Sequence, residues 1–109
     1  MSFTHTHAHT SGSTLDGCGH IEEYAELAKK NNMPSMCITD HGNMSNVYNF
    51  CTTMKKHGVK PIIGCEFYLY NDFMFDDSYE LKVPTSHQIV LVKDKDGFVN
   101  ANKLNYDSF

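Results

Sequence analysis

Three short predicted strands alternate with two stretches of helical periodicity, and this order constrains the fold more than any other feature of the chain. The strands are predicted at 3–9, 35–39 and 60–70, each bounded by residues typical of turns. Between them, apolar side chains recur at helical spacing over 21–30 and again from 47 to Gly58. A strand, helix, strand, helix, strand order predicts an α/β fold with right-handed crossovers, as in an open sheet or a section of a barrel.

The third run, KPIIGCEFYLY, is nearly continuous in apolar residues, which is typical of a strand buried on both faces of a parallel sheet. An irregular acidic excursion is predicted at 71–86. The run HQIVLV at 87–92 then predicts a fourth strand, and Phe98 and Ala101 give the tail a weak helical spacing. Because no internal repeat or linker interrupts the chain, we expect a single domain over 1–109.

Charge and cysteine content exclude several classes of protein. The net charge is −4, and the lysines form only two adjacent pairs, so an extended basic surface for strong independent DNA binding is not expected. The four cysteines show no CxxC spacing, and no signal peptide or membrane-spanning run is present, so we expect a reducing, cytoplasmic location and no membrane partner. Cys37 and Cys65 lie in apolar runs and are interpreted as small buried side chains.

The stretch HTHAHTSGSTLDG at 5–17 carries the clearest chemical signal. On a strand, His5, His7 and His9 would point the same way because side chains alternate with period two. Neighbours on one face lie about 7 Å apart, which lets adjacent imidazoles approach one metal ion or two neighbouring ions. A His-x-His pair is by itself more often a surface or hydrogen-bonded pair, so further residues are needed to support a metal site.

Further candidates lie where the predicted strands end. Asp40 and His41 directly follow the second strand, as His9 closes the first, and functional groups in parallel α/β folds gather beyond the carboxyl ends of the strands. Imidazoles and carboxylates together suit zinc, manganese or iron.

Two carboxylates have alternative interpretations. Glu66 lies inside an apolar strand, so it needs a cation or a hydrogen-bond network, and a salt bridge to Lys60 or Lys82 is the alternative. Asp16 is either part of the site or a cap for the helix near His20.

Four segments in this order and at this spacing resemble the start of the PHP (polymerase and histidinol phosphatase) domain: FTHTHAHTSGSTLDG, MPSMCITDHGNM, KKHGVKPIIGCEFYL and HQIVLVKDKDGFVNANKL. They most resemble the copy at the N-terminus of the alpha subunit of bacterial DNA polymerase III, the family C polymerases. The resemblance covers nearly the whole chain except the acidic excursion. It implies a distorted, TIM-like β/α barrel of seven strands, of which this chain is the N-terminal part.

The resemblance also implies a set of site residues. The PHP domain holds up to three metals with nine ligands, and six of the ligand positions are matched here by His7, His9, Asp16, His41, Glu66 and His87. Asp40 and His41 match catalytic positions, with Asp40 orienting a ligand from behind. His5 stands where the family often has another polar residue. His87 opens a strand, so the bare sequence supports its place at the rim least, and the remaining three ligands are expected beyond residue 109.

The function implied by this resemblance is that of a metal-dependent phosphoesterase, either a 3′–5′ exonuclease acting on a DNA 3′ end or a pyrophosphatase. One alternative is a non-catalytic structural module of a split or truncated replicative polymerase. Another is a hydrolase of small phosphomonoesters resembling histidinol phosphatase, although LDG, TDHGN and KPIIGCE favour the polymerase branch. An unclosed sheet exposes an edge and an apolar face, so we expect a partner: a polypeptide that completes the barrel, a polymerase core, or another copy of the chain.

Overall fold

The computed structural model describes residues 3–70 and 85–108, with Tyr70 and Thr85 described at the level of the backbone. Three helices and three strands follow one another in mixed order: α1 (Ile21–Lys30), β1 (Ser35–Ile38), α2 (Val47–Lys56), β2 (Lys60–Tyr70), β3 (Thr85–Leu91) and α3 (Lys95–Asp107). The predicted excursion at 71–86 falls mostly outside the described residues, and its last two positions belong to β3. None of the helices in the described ranges is long and apolar enough to cross a membrane.

The first helix follows its sequence pattern closely. Ile21, Ala25 and Ala28 form its buried face, as the spacing predicts. The Glu23 carboxylate accepts the His20 N–H at the helix start (3.1 Å), which satisfies a backbone donor that the helix leaves unpaired. This helix packs against α2, which in turn packs against the sheet, and the shared core includes Ile38, Phe50, Met54 and Val59.

The sheet has the order β1-β2-β3 and mixed direction. Strand β1 pairs in parallel with the first residues of β2, from Ser35 opposite Lys60 to Ile38 opposite Ile63. From Gly64 onward, β2 pairs with β3 in the antiparallel sense. The expectation that this apolar run lies in a parallel sheet holds for the first residues of β2 and is wrong for the rest, because β2 pairs with two different neighbours along its length. Its outer half is also partly exposed, with Leu69 48% accessible.

Residues 3–9 run beside β1 but do not form the predicted strand. The Cys37 N–H donates to the His5 carbonyl (3.1 Å) and the Thr39 N–H donates to the Ala8 carbonyl (2.8 Å). The carbonyls advance from 5 to 8 while the amides advance from 37 to 39, so one extra residue lies between the two hydrogen bonds. The chain bends at 6 and 7, and only His5 forms a bridge, with Met36. An interruption of this kind breaks the alternation on which a shared face for three histidines depends.

The cysteines behave as predicted. Cys37 and Cys65 are fully buried, and all four cysteines are free thiols. Burial raises the pKa of the Cys37 thiol and of the Cys65 thiol to about 11. These two side chains therefore act as small core residues.

The weak helical spacing at Phe98 and Ala101 is confirmed by α3, which runs for 13 residues. Asp94 caps it by accepting the Gly97 N–H (2.9 Å). Only Ala101 is fully buried in it, which explains the weak apolar periodicity. Near the end of the helix, the Asn105 side-chain amide donates to the Gly42 carbonyl (2.7 Å) and so ties α3 to the loop after β1.

Candidate metal centre

The loop after β1 pairs once more with β2, at His41. The Glu66 N–H donates to the Asp40 carbonyl (3.1 Å), and the Gly42 N–H donates to the Glu66 carbonyl (2.9 Å). His41 and Glu66 are consequently direct neighbours across a parallel β-bridge. This backbone pairing brings an imidazole beside a carboxylate.

Glu66 is the centre of the site. It is 2% exposed, and its two carboxylate oxygens face two different pairs of histidines. Its Oε2 lies 2.6 Å from His7 Nε2 and 3.2 Å from His9 Nε2, while its Oε1 lies 2.5 Å from His87 Nδ1 and 3.4 Å from His41 Nδ1. The alternative partner Lys60 begins β2 and does not contact Glu66, whereas Lys82 lies outside the described residues.

The antiparallel direction of β3 explains why His87 belongs to this edge of the sheet. His87 lies opposite Tyr68 in the β2–β3 register, and Glu66 lies opposite Ile89. The start of an antiparallel strand lies at the edge where its parallel neighbours end. His87, the third residue of β3, therefore reaches the same place as a residue that follows β1. The His87 ring also contacts the Tyr68 ring edge to face, with centroids 4.7 Å apart.

Asp16 reaches the site from the loop before α1. Its Oδ2 accepts a hydrogen bond from His41 Nε2 at 2.5 Å, so it does not cap α1, which begins after His20. Gly17 allows the close approach of this loop, because a Cβ at that position would lie 1.7 Å from the Thr10 carbonyl oxygen. The Asp16 side chain itself is 60% exposed.

His41 supplies the observation that tests whether a cation fits. In the neutral ring that donates its Nε2–H to Asp16, Nδ1 carries a lone pair, and this buried nitrogen has no hydrogen-bond partner among the described residues. It faces the Glu66 oxygen 3.4 Å away, so two acceptors confront each other out of water. Such a pair is costly unless a cation or a proton lies between the two atoms. The donor set therefore fits a bound metal ion.

Three groups of ligand atoms converge closely enough to hold a metal, with all atoms of a group within 4.8 Å of one another. The groups overlap, and together they contain His7, His9, Asp16, His41, Glu66 and His87. His5 belongs to none of them and packs edge to face on Phe3 instead.

The protonation states of the centre follow from its surroundings. Burial alone would raise the pKa of Glu66, but the hydrogen bond from His7 and the nearby His41 and His9 outweigh it and leave the pKa below its ordinary value. Burial, reinforced by His41, lowers the pKa of His9. An ionised carboxylate and a neutral imidazole are the forms that bind cations.

Comparison with known proteins identifies the family. The model of the PHP domain matches residues 5–106 of this chain. The chain belongs to the PHP domain family.

Curated relatives of this PHP domain are DNA polymerase III alpha subunits. The chain is 43% identical to the subunit from Helicobacter pylori strain 26695 over 99 residues, 91% of this chain and 8% of that protein. It is 39% identical to the Campylobacter jejuni subunit over 107 residues, 98% of this chain and 9% of that protein. The Treponema pallidum subunit is 34% identical over 110 residues, 100% of this chain and 9% of that protein. The PHP domain described here thus spans less than a tenth of the length of these relatives.

A solved structure shares the fold of this PHP domain. The match is to a Bifidobacterium adolescentis protein described as a metal-dependent phosphoesterase, with a TM-score of 0.60 and 19% identity. It covers 81% of this chain and 27% of that protein. The likeness supports the mixed α/β fold, and the seven-stranded barrel stays a prediction because the described residues contain three strands.

Asp40 lies behind the candidate metal centre of the PHP domain rather than in it. It is 1% exposed and accepts three hydrogen bonds, from the Thr10 N–H (2.6 Å), the Thr10 hydroxyl (2.7 Å) and the Ser13 hydroxyl (2.9 Å). It belongs to none of the converging ligand groups. These contacts fix the loop that follows His9, which agrees with a role for Asp40 in orienting other residues, and its catalytic role stays a prediction.

Sequence reasoning missed the residues that hold this loop in place. Thr10 and Ser13 are fully buried, and the Tyr24 hydroxyl donates to the His9 carbonyl (2.8 Å). The run TSGST between two candidate ligands was the available signal, because serine and threonine hydroxyls commonly bond to nearby loop groups.

Proposed function

We propose that this PHP domain contributes most of the ligands of a metal-dependent phosphoesterase centre in a DNA polymerase III alpha subunit, with 3′–5′ exonuclease or pyrophosphatase chemistry. The observation that carries the proposal is Glu66, a buried carboxylate whose partners among the described residues are imidazoles and not lysine or arginine. Histidines compensate a buried negative charge by Coulomb attraction only while they are protonated, whereas a divalent cation compensates it when the imidazoles are neutral as well.

The six candidate ligands would hold zinc, manganese or iron. Bound divalent ions would lower the pKa of a coordinated water and neutralise the charge that develops on a phosphoryl group. Glu66 presents one oxygen to His7 and His9 and the other to His41 and His87, which favours two neighbouring ion positions over one. Paired ions are the usual arrangement for in-line displacement at phosphorus.

The centre is open on one side. The side chains of Asp16, His7 and His87 are 60%, 54% and 48% exposed, respectively. We infer that further ligands come from outside residues 1–109: from a polypeptide that completes the barrel, from a polymerase core, or from self-association. A DNA 3′ end is the substrate that best suits a polymerase subunit.

The second candidate function is a non-catalytic module of the polymerase. The observation in its favour is that three candidate ligands, Asp16, His7 and His87, are 48–60% exposed, so the described residues do not enclose a substrate. In that case the metal centre would serve folding and contact with the rest of the polymerase.

Metal uptake and turnover test the proposal. Elemental analysis should find zinc, manganese or iron in the wild-type chain and in His20→Asn, which changes an exposed histidine outside the centre, but not in the double variant His7→Ala/His9→Ala. Equal, negligible metal in all three proteins would refute the metal centre.

Activity separates the two candidate functions. Release of nucleotides from a DNA 3′ end and of phosphate from pyrophosphate should be weak for the chain alone and appear with manganese or zinc when a polypeptide carrying the remaining barrel residues is added. Metal uptake without turnover in the completed assembly would favour the non-catalytic module.

A further inference from the structure

Ser13 makes three contacts with a single hydroxyl group. It is 1% exposed, and its Oγ lies 2.9 Å from Asp40 Oδ1, 3.0 Å from the His41 backbone nitrogen and 3.4 Å from His9 Nδ1. The hydroxyl therefore connects a buried carboxylate to two candidate metal ligands.

Only one assignment of donors and acceptors around the Ser13 hydroxyl is energetically favourable. A hydroxyl has one proton to donate and two lone pairs. The Asp40 carboxylate can only accept, and it lies closer to Ser13 than His9 does, so the Ser13 proton goes to Asp40 in a charge-assisted hydrogen bond. One lone pair accepts the His41 N–H. The other lone pair is left facing His9 Nδ1.

We propose that Ser13 is a positioning residue that holds His9 in the tautomer with its proton on Nδ1. The Nε2 lone pair of His9 then accepts the His7 Nε2–H at 2.9 Å, a proton that His7 also donates to Glu66 Oε2. This His9 nitrogen lies 3.2 Å from Glu66 Oε2, where the proposed function needs a ligand atom. With the proton on Nε2 instead, two lone pairs would face each other between Ser13 and His9 in a buried position, at an energetic cost. Partners on the second nitrogen commonly set the tautomer of a ligating histidine.

The tautomer can be read directly in the metal-free wild-type chain. Long-range nitrogen–proton correlation spectra of nitrogen-15-labelled protein, recorded above pH ~8 where histidine is neutral, distinguish protonated from bare ring nitrogens. The spectrum of His9→Gln assigns the His9 signals by their absence. We expect a protonated Nδ1 and a bare Nε2, and a protonated Nε2 would overturn the proposal.

Two variants separate positioning from general loss of structure. Ser13→Ala removes the contact with His9, whereas Thr10→Val removes a hydrogen bond to the same Asp40 carboxylate without touching a histidine ring. Ser13→Ala should give a mixture of His9 tautomers and a zinc affinity, measured by competition with a chromogenic chelator, lower by about 10- to 100-fold. Thr10→Val should keep the Nδ1–H tautomer.

The outcomes distinguish this proposal from the proposed function on which it builds. A shift of the tautomer in both variants would show a purely structural role and refute the positioning of His9. An Nδ1–H tautomer in a chain that binds no metal would leave Ser13 as assigned and refute the metal centre. If either variant fails to fold, the wild-type tautomer decides the proposal.

Discussion

His41 and Glu66 face each other across a β-bridge with Nδ1 and Oε1 3.4 Å apart and no hydrogen bond between them. Sheet pairing imposes this proximity, since the backbones of the two residues are locked by the hydrogen bonds on either side. A side chain in a loop would turn away to find water. The backbone thus holds in place an electrostatic conflict that a cation resolves.

Replacing Glu66 by glutamine should abolish tight metal binding. The change removes the negative charge that both pairs of histidines face, and the loss in zinc affinity should be at least about tenfold. Glu26→Gln, on the exposed face of α1, is the matched control. Equal zinc affinity of the two variants in a chelator competition would contradict the central place of Glu66.

The metal-free chain should lose stability as the pH falls. The pKa of His9 is lowered on folding, so the unfolded chain binds more protons as the pH drops through the ordinary value of 6.5, and stability decreases. The pKa of Glu66 is also lowered, so its contribution is present above 4.5 and is lost as the pH falls through the folded value. Both groups act in the same direction.

Urea unfolding with a chelator present measures this dependence. The midpoint should fall between about pH 7 and pH 5, and the fall should be smaller in His9→Gln, which does not titrate. A midpoint that rises on acidification would show that the pKa of His9 is not lowered in the folded chain.

Thiol labelling should separate the cysteines by burial. Cys18 is exposed and should react rapidly with iodoacetamide at about pH 8. Cys37 and Cys65 are buried with pKa values of about 11, so they should remain unmodified until urea unfolds the chain. Peptide mapping by mass spectrometry reads each site, and equal labelling of Cys18 and Cys37 in the native chain would rule out this packing.

Asp40→Ala should be strongly destabilising. The change leaves three buried donors of Thr10 and Ser13 without their acceptor, and we expect the free energy of unfolding to fall by about 3 kcal/mol or more. Asp107→Ala, at the exposed end of α3, should change it by less than about 0.5 kcal/mol. Similar urea midpoints for the two variants would show that the Asp40 network is not a main support of the loop.

The sequence predicted those helices and strands whose formation depends on the pattern of neighbouring residues. The bounds of α1 and β2 agree with the periodicity and the apolar run that indicated them. The direction of β3 could not be predicted, because HQIVLV has the same composition whichever way the strand pairs. The extra residue between His5 and Ala8 could not be predicted either, because it becomes visible only in the hydrogen bonds with β1.

The candidate site likewise contains residues that the sequence predicted and one that it did not. Residue chemistry and the family resemblance selected six side chains that the fold brings together, and their ligand roles stay predictions. Ser13 was missed because a hydroxyl has no distinctive chemistry until its neighbours are known. Its importance arises from three contacts made by residues 4, 27 and 28 positions away along the chain.

The extra residue between His5 and Ala8 sets the phase of the N-terminal segment relative to β1. In the sequence His5, His7 and His9 are equivalent, yet only two of them reach Glu66. The position of each histidine relative to β1, and not the number of histidines, thus determines which of them are candidate ligands. A chain shortened by one residue at Thr6 would carry the same histidines, but with His5 in a different phase relative to His7 and His9. The length of this segment therefore determines the arrangement of the centre together with the imidazoles themselves.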